Sequence, residues 1–209
     1  MCAYYVIAAA EASSNLAKYD GVRYGVRAAG GDTGGDGAAL YAETRGAGFG
    51  DEVKRRILLG TYSLSSGAID NYFVQAQRVR RLIRRDFERV FRRANPLCRP
   101  ERFDLSAMAE GTALADRRGP PQVDFLLSAT TPSFPPRLSE VLAKSSLDAY
   151  MNDVFTVPAS LAGLPAVSLP ARTPESRLPV GLQLIGQFWD DKRLLAMAER
   201  VKAIVADGL

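Results

Sequence analysis

Ala166-Val167-Ser168-Leu169, then a turn-rich span from Arg172 to Pro179, then Val180-Gly181-Leu182-Gln183-Leu184-Ile185: two short apolar runs parted by proline, serine and charge read as consecutive strands. Working outward, Val123 to Leu127 is a third run of this kind, a buried strand stopped by Pro132, Pro135 and Pro136. The flanks carry helical spacing instead. Leu138 to Asp153 reads as helix, and a last helix begins at Asp190 as N-cap, with Leu194, Leu195, Ala198, Val201 and Val205 on its buried side. Strands interleaved with helices in this order indicate an α/β or α+β fold.

Residues 4 to 19 are apolar and suit a helix that ends at the turn Tyr19-Asp20-Gly21. Residues 28–48 form a Gly-rich loop, densest at Gly30-Gly31-Asp32-Thr33-Gly34-Gly35-Asp36-Gly37. No Gly-Lys-Ser/Thr follows, and Asp32 and Asp36 would repel phosphate, so a surface loop is preferred over a phosphate cradle. From Asp51 the pattern is helical through Val53, Ile57 and Leu64, with Asp51-Glu52 at the positive end of the dipole. After Gly67 comes the longest helical pattern: Ile69, Tyr72, Phe73, Ala76, Val79, Ile83, Phe87, Val90 and Phe91 define a face expected to be buried. Its other side carries Arg78, Arg81, Arg85, Arg89 and Arg92, read first as a solvated face and second as a contact for RNA phosphates. Residues 95–122, with prolines at 96, 100, 120 and 121 and a short helical candidate over 105–115, form an insertion or linker.

Composition narrows the chemistry. The chain has 209 residues, a formal charge of +4 and no histidine, which excludes Ser-His-Asp and Cys-His triads and every histidine-containing metal site. Cys2 and Cys98 cannot form a CxxC pair or a four-cysteine metal site, and a reducing compartment fits best. No transit or signal peptide is recognised at the start, and no stretch approaches the roughly 18 apolar residues that span a bilayer. The serine pairs Ser13-Ser14, Ser65-Ser66 and Ser145-Ser146 lack a glycine-rich elbow and read as helix-surface or cap hydroxyls.

Four blocks are more specific: Tyr4-Tyr5-Val6-Ile7 through Asn15-Leu16 with Tyr19-Asp20-Gly21-Val22-Arg23-Tyr24-Gly25; Phe49-Gly50-Asp51-Glu52-Val53-Lys54-Arg55-Arg56 through Gly60-Thr61-Tyr62; Asn152-Asp153 through Gly163-Leu164-Pro165; and Leu178-Pro179-Val180-Gly181-Leu182-Gln183-Leu184-Ile185-Gly186. Together they resemble the A subunits of glutamyl-tRNA(Gln) amidotransferases, which are amidase-signature enzymes, and the text from 95 to 136 resembles their fungal mitochondrial branch. The resemblance implies an α/β amidase-signature fold, a mixed β-sheet covered by helices, with residues 1–209 forming only the C-terminal portion of one amidase domain. It implies a glutaminase that releases ammonia, which a partner subunit uses with ATP and Mg to convert Glu-tRNA(Gln) into Gln-tRNA(Gln). The implied partners are the B and small third subunits of the amidotransferase, glutamine, and Glu-tRNA(Gln) through the complex. No cofactor is implied in this chain and no membrane insertion, and the implied location is the mitochondrial matrix, otherwise the cytoplasm.

Family catalysis uses a lysine and two serines from the N-terminal half, so the resemblance implies no catalytic residue in this chain and an isolated chain that is inactive. Three positions match residues with which the family holds glutamine: Tyr4, Arg56 and Asp153. Their chemistry suits free glutamine, because a guanidinium forks onto the α-carboxylate, a carboxylate accepts from the α-ammonium, and a tyrosine closes the pocket. Without the resemblance, Arg56 would read as a helix-surface arginine and Asp153 as a helix cap. Two other readings stand beside this one: another amidase acting on acyl or aryl amides, and a non-catalytic module binding RNA or a partner through the arginine-lined helix. A portion of a sheet-and-helix domain is also expected to expose apolar faces such as Ile69, Phe73, Ala76 and Ile83 and to aggregate alone.

Overall fold

The computed structural model describes residues 1–29, 40–97, 122–143, 151–173 and 176–206. The densest glycine run, Cys98, the 105–115 helical candidate and Ser145-Ser146 lie outside the described residues. The chain divides into two compact units, Cys2–Val79 and Arg80–Leu209, with Met1 grouped with the second.

In the first unit, helices α1 (Cys2–Leu16), α2 (Ala42–Gly48) and α3 (Asp51–Ser63) are followed by a π-helical turn, Asp70–Val74. The tail of the Gly-rich stretch is therefore helical rather than loop. Its Thr44 is buried, and its Arg45 donates to the carbonyl of Tyr19 at 2.8 Å and of Ala17 at 2.6 Å. Those contacts satisfy carbonyls at and beyond the C-terminal end of α1. With the Tyr19 and Phe49 rings 5.3 Å apart, the end of α1 meets the start of α3, and the two helices run antiparallel. Their seam is built from small residues: Ala9, Ala10 and Ser63 are buried, and a Cβ on Gly60 would overlap the carbonyl of Ala9. Hydroxyls in the seam bond their own helices, Ser13 to Ala10 at 2.8 Å and Ser63 to Gly60 at 2.9 Å, so close approach leaves them satisfied.

The turn after α1 has the form its sequence suggests. Asp20 accepts from the amides of Val22 at 2.9 Å and Arg23 at 3.1 Å and from the Arg23 guanidinium at 2.9 Å, and Gly21 sits at φ +66°, where a side chain would be strained.

Helix α4 (Gln75–Val90) continues the pattern begun at Ile69. The expected buried face is covered only along its centre: Ala76 and Phe91 are buried, Ile69, Phe73, Ile83, Phe87 and Val90 are half-buried, and Tyr72 and Val79 on one flank are exposed. The residues left bare therefore differ from those expected. Ala76 is covered, whereas Leu58, Leu59, Tyr62, Tyr72, Val79 and Leu82 face solvent among the described residues.

The second unit holds β1 (Leu126–Ala129), α5 (Leu138–Ala143), α6 (Val157–Ala162), β2 (Ala166–Thr173), β3 (Ser176–Ile185) and α7 (Asp191–Ala206). The described strands form an antiparallel sheet in the order β1-β3-β2. The two strands of the opening motif extend well into the span read as a turn, because β2 is an edge strand that accommodates Pro170 and β3 is paired with β1 only from Leu182 onward, past Pro179. The strand expected at Val123–Leu127 is displaced to Leu126–Ala129. Val123 is held instead by a parallel bridge to Phe91, and pairing with Leu182–Ile185 sets the register of the rest. The expected helix from Leu138 is seen to Ala143, and residues 152–156 form turns before α6.

Two apolar layers hold this sheet. Phe91, Ala159, Ala162, Leu164 and Ile185 make one core, with Phe87, Leu126 and Phe188 against it. Leu169, Leu184, Leu194 and Ala198 make the other, joined by Phe125, Val167, Met197 and Val201. Pleat alternation sends Ile185 to the α6 side and Leu184 to the α7 side. Helix α7 buries Leu194 and Ala198 as expected, but Leu195 is 57% exposed, since adjacent helical residues point about 100° apart. Asp190 precedes the first residue of α7 and its carbonyl accepts from Leu194 N at 2.9 Å, as an N-cap residue does. Its carboxylate is buried between Arg93 at 2.7 Å and Arg193 at 3.1 Å, and Asp124 joins the same network through Arg92 and Arg193.

Candidate functional site

Arg56 occupies the second turn of α3 and Tyr4 the first turn of α1. The antiparallel seam puts Arg56 level with the C-terminal part of α1, so their backbones stand roughly 15 Å apart along the helix axis. Tyr4 is half-buried and packs edge-on against Tyr5, with ring centroids 5.3 Å apart. Arg56 is half exposed. Its Nε donates to Glu52 at 3.2 Å, and Arg55 donates to the same carboxylate at 2.8 Å. Glu52 thus steers the Arg56 side chain from one edge, while its terminal guanidinium nitrogens have no partner among the described residues.

Asp153 lies in the second unit, in the turn ahead of α6, and is exposed. Its carbonyl starts the helix, accepting from Val157 N at 3.0 Å, Thr156 N at 3.1 Å and the Thr156 hydroxyl at 3.2 Å. Its carboxylate is not a cap: the N-cap position is Thr156 and no side chain caps the helix. Among the described residues that carboxylate has no hydrogen-bond or ion-pair partner, which leaves it available to a cation.

A shallow cleft of about 280 Å³ adjoins this turn, lined by Thr131, Ser133, Phe134, Asn152, Pro179 and Gly181 among others. Gly181 makes room there, since a Cβ would stand 2.7 Å from the Thr130 hydroxyl, itself 2.8 Å from the Ser168 hydroxyl. One polar residue of this region was read from sequence only as part of a strand. Gln183 is 4% exposed, and its amide nitrogen donates to the Phe155 carbonyl at 2.9 Å and the Ser128 hydroxyl at 3.2 Å. The available signal was a lone amide between Gly181 and Ile185 on the core-facing side of an otherwise apolar run.

Of the arginines expected to line one side of the α4 helix, Arg92 is engaged within the protein, as are its neighbours Arg80 and Arg84 outside that set. Arg92 pairs with Asp124 at 3.0 Å, Arg84 with Glu88 at 2.8 Å, and Arg80 donates to the Leu161 carbonyl at 2.8 Å.

Helices α6 and α7 pack on opposite faces of the antiparallel sheet, an α/β arrangement. A profile of the Amidase family matches residues 1–195, and the chain belongs to that family. It is 68% identical over 206 residues to the A subunit of the mitochondrial glutamyl-tRNA(Gln) amidotransferase of Fusarium vanettenii, covering 99% of this chain and 40% of that protein. To the protein of the same name from Neurospora crassa it is 59% identical over 229 residues, covering 100% of this chain and 42% of that one. A crystal structure of an amidase aligns with 97% of this chain and 35% of its own length at a TM-score of 0.52 and 20% identity, a likeness of fold. The chain therefore spans about two fifths of the length of the curated relatives it matches.

Proposed function

We propose that this chain is part of the glutamine-hydrolysing subunit of a mitochondrial amidotransferase that converts Glu-tRNA(Gln) into Gln-tRNA(Gln). The observation that carries the reading is the identity of 68% across 99% of the chain to a protein so named. In this reading glutamine is hydrolysed on the amidase subunit, and ATP and Mg act at a partner subunit, with a small third subunit completing the complex. Arg56 forks onto the α-carboxylate of glutamine, Asp153 takes its α-ammonium, and Tyr4 closes the pocket. Among the described residues the terminal guanidinium nitrogens of Arg56 and the carboxylate of Asp153 have no partner, which supports these roles because each leaves a charge for a ligand.

Activity of the full-length subunit assembled with its partners tests the proposal. Arg56→Lys loses bidentate geometry and Asp153→Asn loses the charge, each costing about 1.5 to 3 kcal/mol in glutamine use. Transamidation supplied with free ammonia bypasses the pocket and should proceed at the unmodified rate. Unchanged kcat/KM for glutamine in both variants would refute the site; failure to aminate Glu-tRNA(Gln) with either nitrogen source would refute the function.

A further inference from the structure

We infer that Gln183 is a positioning residue that holds the Asp153 turn in place for the α-ammonium of the substrate. The inference rests on the role proposed for Asp153. Pairing in the sheet puts Ser128, Gln183 and Ser168 in one row across β1, β3 and β2. The neighbouring row, Leu126, Ile185 and Ala166, is apolar and faces α6. A side-chain amide buried beside such a row gains little net stability over an apolar residue of similar volume. What it does here is specific: Nε2 reaches out of the sheet to the Phe155 carbonyl, two residues beyond Asp153, with Ser128 as its second acceptor.

Among the described residues, a side-chain hydrogen bond from Gln183 reaches this turn from outside it. The other bonds of the turn among the described residues are internal, from Val154 to Met151 and from Thr156 and Val157 to Asp153. Phe155 itself is 40% exposed and is not among the buried core residues. Firm burial resumes only at Val157. The bond from Gln183 therefore ties the rigid central strand to the segment that carries the free carboxylate. Displacing that carboxylate by about 1 Å weakens a charge contact to substrate far more than it disturbs the fold.

The test compares glutamine with glutaramate, which keeps the carboxylate and the amide but lacks the α-ammonium, in the full-length subunit assembled with its partners. Gln183→Met retains volume and removes the donor. The expected result is a fall of about tenfold in kcat/KM for glutamine, carried mainly by KM, with glutaramate turnover unchanged. Persisting glutaramate turnover also reports that the variant is folded. If the Met variant does not fold, Gln183→Asn, which keeps the amide but shortens its reach, should give the same selective loss. Equal losses on both substrates, or no loss on either, would overturn the inference. Asp153→Asn in parallel separates the two levels: loss of the glutamine preference there but not at Gln183 removes only the positioning role, whereas no loss at Asp153 removes the ammonium site and the positioning role with it.

Discussion

Arg56 and Asp153 differ in how much of their charge is already engaged. Arg56 shares Glu52 with Arg55, and an exposed pair of this kind is worth only a few tenths of a kcal/mol. A ligand carboxylate can therefore recruit the guanidinium cheaply. Asp153 has no such competitor among the described residues. Asp20 is the contrasting carboxylate: the Val22 amide, then the Arg23 guanidinium and the Arg23 amide, lower its pKa to about 2. A depressed pKa stabilises the fold above the unfolded value near 4, and that stability is lost as pH falls through about 2. Thermal melts of the full-length protein should show Asp20→Asn melting below wild type at neutral pH, the gap narrowing as pH drops below about 4. A gap that stayed constant or widened on acidification would argue against this turn as the acid-sensitive element. At this scale the sequence was informative where the chemistry is local. Tyr19-Asp20-Gly21 announced its turn because aspartate bonds its own neighbours and glycine takes positive φ. The Gln183 contact was hidden, because its acceptor at Phe155 is 28 residues away along the chain.

Among the elements, the α1–α3 seam depends on Gly60 more than on apolar area. A glycine inside a helix costs about 1 kcal/mol relative to alanine by propensity, and here that cost permits backbone-to-backbone approach at Ala9. Gly60→Ala should therefore destabilise the protein by about 1 to 3 kcal/mol despite the better helix former, read as a lowered midpoint in chemical denaturation; unchanged or raised stability would show that the seam is looser than described. Elements were legible to the extent that local pattern decides them. The helices starting at Asp51 and Asp191 follow from acidic first turns and apolar spacing. The start of β1 did not follow, because the Phe91 bridge and pairing with Leu182–Ile185 decide which residues join the ladder. Leu195 was misassigned for a related reason: a pair of adjacent leucines leaves the helical phase ambiguous until Leu169 and Leu184 select Leu194.

For the whole molecule, the apolar residues that face solvent are the notable feature. Leu58 is 72%, Leu59 55% and Tyr62 59% exposed, close together on α3, and exposed apolar side chains grouped in this way favour association. These 209 residues expressed alone should bind a hydrophobic dye and self-associate, and replacing Leu58, Leu59 and Tyr62 together by polar residues should reduce both. A dye-silent monomer with one cooperative melt would contradict this. The α/β class and the amidase family were legible in the ordered blocks from Tyr4 to Gly186. The identity of the exposed face was not, because periodicity gives the direction of an apolar stripe without saying how much of its width is covered.

The most direct measurement is a matrix of kcat/KM for Arg56→Lys and Asp153→Asn in the full-length subunit assembled with its partners, on three substrates. These are glutamine, glutaramate without the α-ammonium, and 4-aminobutyramide without the α-carboxylate. If the two side chains grip the two ends of glutamine, Arg56→Lys should lose about tenfold or more on glutamine and glutaramate and little on 4-aminobutyramide, and Asp153→Asn should show the reverse pattern between the two analogues. Losses that ignore which charged group the substrate carries would contradict the assignment of both residues.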